Sequence, residues 1–80
     1  MSNVIKLKLK YILYHSALNV MRFFVELGVN PTAKDKIQQT PLYYTCREGK
    51  YACSKFLIEC GCPLNEKDLY QQTPIYYAAR

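Results

Sequence analysis

The chain has 80 residues and a formal net charge of +5, with 50% apolar and 14% aromatic residues. That length allows at most one small domain, and that hydrophobic content is too high for a disordered tail. No run of about 18 apolar residues occurs, which excludes a helical membrane span. Lysines interrupt the N-terminal apolar stretch and no small-residue cleavage site follows, so a secretory signal is excluded and a cytoplasmic or nuclear address is expected.

The positive charge is concentrated at the start. Lys6, Lys8 and Lys10 precede every acidic residue, whereas residues 11–80 hold eight basic and six acidic groups. A solvated face of a capping unit accounts for the three lysines. The alternative is electrostatic attachment of this segment to nucleic acid or an anionic membrane, which with so few charges is weak and steeply salt-dependent.

In chain order, residues 4–14 read first as a helix, because Ile5, Leu9, Ile12 and Leu13 share one helical face, although residues 5–10 also alternate as a strand would. Val20, Phe23, Phe24 and Leu27 then form a helical stripe closed by Gly28. A polar stretch over residues 31–39 carries Asp35, placed to begin a turn. Thr40 suits an N-cap whose hydroxyl accepts a first-turn amide, and Pro41 suits the first helical position. That helix runs through Leu42, Tyr43, Thr45 and Cys46 to about Glu48, with Gly49 free to take the left-handed conformation that ends it. Cys53, Phe56, Leu57 and Cys60 form the stripe of a second helix, ended by Gly61. A second polar connector over residues 64–72 carries Asp68, and Thr73-Pro74 opens another helix.

The pattern is a duplication. Gln-Gln-Thr-Pro-(Leu/Ile)-Tyr-Tyr stands at residues 38–44 and again at 71–77, 33 positions later. Residues 23–47 match residues 56–80 at 12 of 25 positions, where unrelated sequence gives about 1 or 2. The repeating unit is therefore two short helices followed by a turn-rich connector.

With Asp35, Gln38, Thr40-Pro41-Leu42-Tyr43, Thr45-Cys46, Gly49, Cys53, Phe56-Leu57-Ile58, Gly61 and Asn65 in place, the chain resembles an ankyrin repeat protein from about residue 16 to residue 80. A tetratricopeptide array, with a 34-residue period and no Thr-Pro start, fits less well. The resemblance implies an all-α solenoid of antiparallel helix pairs joined by β-turn or hairpin-like loops. It divides the chain into a partial or capping repeat at 1–33, a full repeat at 34–66 and a truncated repeat at 67–80. Two departures stand out. Gln38 and Gln71 occupy the family's glycine position, where a positive φ costs glutamine roughly 1 kcal/mol. Tyr43 and Tyr76 replace the family's histidine after Thr-Pro-Leu, in both units.

Cys46, Cys53, Cys60 and Cys62 include no C-x-x-C pair, and the one histidine, His15, is distant. They read as small apolar fillers rather than disulfides or metal ligands, and the resemblance gives each an ordinary place in the repeat. No nucleophile–base pair, phosphate loop, paired carboxylates or metal-binding helix is present, so neither enzymatic activity nor a cofactor is expected.

What the resemblance implies instead is a binding module, in which turn tips and inner helix faces form a concave groove for a protein partner. Carried onto this chain, the tips are Lys36, Ile37 and Gln39, then Leu69, Tyr70 and Gln72. The groove-lining positions are Tyr44, Arg47 and Glu48, then Tyr77 and Arg80. Ile37, Leu69 and Tyr70 are apolar groups on turns, suited to an interface core. The competing reading is that they cover the edge of the adjacent unit. A structural reading of the whole chain is that it forms one end of a longer array. The final unit has its first helix and no second, so marginal stability or self-association through the open C-terminal end is expected.

Overall fold

The computed structural model describes residues 17–80. The expected helix over residues 4–14, the basic group Lys6, Lys8 and Lys10, and His15 lie outside the described residues. Four helices follow in order: α1 (Leu18–Glu26), α2 (Pro41–Arg47), α3 (Tyr51–Glu59) and α4 (Pro74–Ala79). The described residues contain no strand, as the all-α expectation requires.

Local chemistry sets the helix ends. Thr40 and Thr73 are extended, with φ of −91° and −97°, and the prolines after them open α2 and α4 where no amide donor is needed. The Thr73 hydroxyl accepts from the Tyr76 amide at 3.3 Å. Thr40 departs from the expected cap: its hydroxyl makes no capping bond and is buried beside the Cys62 thiol. The Tyr43 amide bonds the Thr40 carbonyl at 3.1 Å, as the Tyr76 amide bonds the Thr73 carbonyl. The hydroxyl is drawn inward because Thr40 is fully covered by its neighbours, whereas Thr73 is only half-buried.

At the far ends, Gly28 and Gly61 take φ of +98° and +104°. The chain reverses there so that the Val29 and Cys62 amides bond back to the Phe24 and Leu57 carbonyls at 3.0 Å, closing α1 and α3 identically.

Within a unit α2 packs on α3; between units α2 packs on α4 and α1 on α3. First helices thus form one layer and second helices the other. Met21, Leu42, Cys53, Leu57 and Cys62 make the core, with Leu18, Phe24, Val25, Phe56 and Leu64 against it. A buried hydroxyl bridge, Ser54 Oγ donating to Thr45 Oγ1 at 2.9 Å, ties α3 to α2.

The two hydrophobic stripes do not behave alike. In α3, Cys53 and Leu57 are buried and Phe56 and Cys60 half-buried, as expected. In α1, Val20, Phe23 and Leu27 are exposed, and Met21 is the fully buried residue. Among the described residues α3 alone packs on α1, and it meets the Met21 side of the helix, so spacing identified a shared face without identifying what lies opposite it.

The connectors are built on one plan. Asp35 Oδ1 accepts from the Ile37 and Gln39 amides at 3.0 and 2.9 Å; Asp68 Oδ1 accepts from Tyr70 and Gln72 at 2.8 and 3.0 Å. Each turn carries a glutamine, Gln38 or Gln71, held at φ +64°. Both side chains are exposed, so the strain is confined to the backbone. Gln38→Gly and Gln71→Gly should each stabilise the fold by about 0.5–1 kcal/mol after glycine's own entropy cost. Together they should raise the melting temperature by roughly 5–10 °C in a thermal melt. An unchanged or lower value would show that these turns relax around glutamine without strain.

Candidate functional site

The turn tips, residues 36–39 and 69–72, lead directly into the first helices α2 and α4. The two tips are joined directly, since the Leu69 amide donates to the Ile37 carbonyl at 3.0 Å. Leu69 and Tyr70 are 61% and 63% exposed, although Asp68 pins the backbone that carries them. Two apolar side chains are therefore displayed on a rigid turn, which does not use them to cover its neighbour. Ile37 is half-buried at the junction, so the covering role holds for it in part. Lys36 is exposed beside it, and Gln72 is half-buried.

Gln39, expected at a tip, lies inside at 3% exposure. Its amide donates to Asp68 Oδ2 at 2.8 Å and lies 3.3 Å from the Tyr77 hydroxyl, which itself donates to Asp68 Oδ2 at 2.7 Å. Asp68 thus accepts two bonds from its own turn, one from α4 and one from the preceding unit. Burial pushes its carboxyl up. The bonds from Tyr77, from the Gln72 amide, from Gln39 and from the Tyr70 amide outweigh that effect and hold it below the usual carboxylate range. The hydrogen bond to Asp68, then burial and the Asp68 charge, push the Tyr77 phenol up to about 12.

Tyr43 makes a second link between units. It is buried, its hydroxyl donates to the Glu66 carbonyl, and its ring meets the Tyr77 ring edge-on at 6.0 Å. The bond shows how tyrosine serves at the histidine position: it reaches the connector that follows α3, while its ring meets the next unit at Tyr77. Lys34 pairs with Glu66 alongside, both partners well exposed, so that pair adds little.

Over the first-helix layer, Arg47 and Glu48 are exposed and Tyr44 and Tyr77 half-buried. The Arg47 guanidinium lies 5.3 Å from the centre of the Tyr77 ring, and Lys50 stands 5.3 Å from that of Tyr44. Arg80, at the end of α4, lies 5.7 Å from the Tyr76 ring, which is edge-on to Tyr77 at 5.4 Å. Arg47, Tyr77, Tyr76 and Arg80 are thus linked in one run of ring and cation contacts, and Tyr44 with Lys50 forms a separate pair.

All four cysteines are free thiols. Cys53 and Cys62 sit in the core, and Cys46 and Cys60 are half-buried. Burial pushes the Cys62 thiol up to about 11, which leaves it protonated near neutral pH and unsuited to nucleophilic chemistry. No helix among the described residues is long and apolar enough to cross a membrane.

Stacked helix pairs, Asp-anchored turns and Thr-Pro starts together define a repeat solenoid. The model for ankyrin repeats (three copies) matches residues 9–80, and the chain belongs to this family. Its members typically serve as non-catalytic binding modules. A search of curated proteins gave no match.

What sequence reading missed is the Asp68–Gln39–Tyr77 clasp. A signal for it was present: Asp and Tyr recur nine residues apart in both units, at Asp35/Tyr44 and Asp68/Tyr77, around an unchanging glutamine.

Proposed function

We propose that the chain is a non-catalytic protein-interaction module. Its binding surface runs from the tips, Lys36, Ile37, Leu69, Tyr70 and Gln72, onto the first-helix layer at Tyr44, Arg47, Glu48, Tyr77 and Arg80. Gln39 serves this surface from below by holding Asp68 in place.

The observation that carries this reading is the exposure of Leu69 and Tyr70 on a turn whose amides are already bonded to Asp68. An apolar pair on a preorganised backbone loses little entropy on binding, which is the property of an interface anchor. Leu69→Ser with Tyr70→Ser removes the anchor and touches none of the bonds that build the turn. Any protein that binds the wild-type chain directly should lose at least about tenfold in affinity for the double variant, read by titration. Circular dichroism and the melting temperature should stay within error of wild type. A partner that binds a folded double variant undiminished would place the interface elsewhere.

A further inference from the structure

The charges of the described residues are not evenly distributed between the two layers. The second-helix layer is balanced, with Arg22 and Lys55 on α1 and α3 set against Glu26 and Glu59. The tips and the first-helix layer are not. There Lys36, Lys67, Arg47 and Arg80 face a single acidic group with no structural duty, Glu48. Asp68 is buried inside the clasp, Asp35 is engaged by its own turn, and Glu66 is paired with Lys34.

The two arginines are also held in a particular way. Arg47 reaches from α2 to the Tyr77 ring on α4, and Arg80 lies against Tyr76, yet both residues remain exposed. A guanidinium laid against a ring gives up little of its hydrogen-bonding capacity. Its planar fork stays available for a carboxylate, with fewer rotamers to lose on binding.

We infer that the partner presents an acidic peptide segment with an apolar side chain: the apolar group seats at Leu69–Tyr70 and the carboxylates engage Arg47 and Arg80. This rests on the interaction-surface reading above and adds to it the chemistry of the occupant. A polyphosphate backbone fits the same cations less well. The exposed apolar tips, Leu69 and Tyr70, offer such a chain nothing to bury.

The test is selection of a random displayed peptide library on the immobilised 80-residue chain, followed by titration of the enriched peptides. The expected peptides are acidic with an aliphatic or aromatic residue, and they bind more weakly at high salt. They should weaken roughly tenfold with Arg47→Gln plus Arg80→Gln, and fail to bind Leu69→Ser plus Tyr70→Ser. Neutral or basic peptides that need Leu69 and Tyr70 but ignore the arginine changes would overturn the acidic occupant and leave the interaction surface standing. Enriched peptides indifferent to Leu69 and Tyr70, or a library yielding none, would remove the surface and the inference with it. Displacement of the peptides by a single-stranded oligothymidylate at low peptide occupancy, with a steeper salt dependence, would replace peptide by nucleic acid as the ligand class.

Discussion

Asp68→Ala should lower folding stability by about 3–4 kcal/mol and the melting temperature by roughly 15–30 °C, the largest effect of any single polar substitution in the described residues. The carboxylate accepts from two backbone amides, from Gln39 and from Tyr77 while being 2% exposed. Removing it takes the acceptor from the Tyr77 hydroxyl and from two part-buried turn amides and costs Gln39 its bond across the units, and each group left unsatisfied carries its own penalty. Asp35→Ala is the built-in comparison, because that residue makes the same two turn bonds from a half-buried position. It should cost about 1–2 kcal/mol. Equal effects at the two sites would show that the clasp between units adds nothing.

The same carboxylate gives the fold an acid limit. Its folded pKa lies below the unfolded value, so its contribution is complete above about pH 4 and is lost as pH falls through the folded value. Tyr77 acts at the other extreme. Its pKa is raised, so its contribution is complete below about pH 10 and fades as pH rises toward about 12. Asp68→Asn should shrink both dependences, with the alkaline one followed directly by tyrosinate absorbance. A tyrosinate titration unchanged in Asp68→Asn would mean that the Asp68 charge is not what restrains Tyr77.

Leu57→Ala should cost about 3–4 kcal/mol, measured by urea unfolding. Leu57 is fully buried in the core with Met21 and Leu42, and a domain of this size holds only about 4–12 kcal/mol in total. Leu27→Ala should cost no more than about 0.5 kcal/mol, since Leu27 is 64% exposed. The contrast matters because both residues stand in stripes that look equivalent in sequence. A large loss at Leu27 would show that the α1 stripe is covered after all.

That contrast marks the boundary of what could be read without coordinates. The turns were legible to the residue: Asp35 and Asp68 begin them, Gln38 and Gln71 take the strained positive φ, and Gly49 ends α2 at φ +70°. The Thr-Pro starts of α2 and α4 were equally plain. Among the candidate site residues, Leu69, Tyr70, Lys36, Arg47, Glu48 and Arg80 lie exposed. Gln39 does not, because a glutamine at a turn end looks the same whether it faces water or a buried carboxylate.

The physical reason is one of range. A capping proline, a turn aspartate or a left-handed glycine acts through bonds to residues within about five positions, so the local chain already contains both partners. Period, helix boundaries and turn shape therefore followed from residue order alone. The side of α1 that is buried, the inward turn of the Thr40 hydroxyl against the capping role of Thr73, and the joining of Gln39, Asp68 and Tyr77 depend on groups up to 38 positions apart. Those outcomes were settled by one unit packing on the next, where burial and hydrogen-bond satisfaction are decided jointly rather than residue by residue.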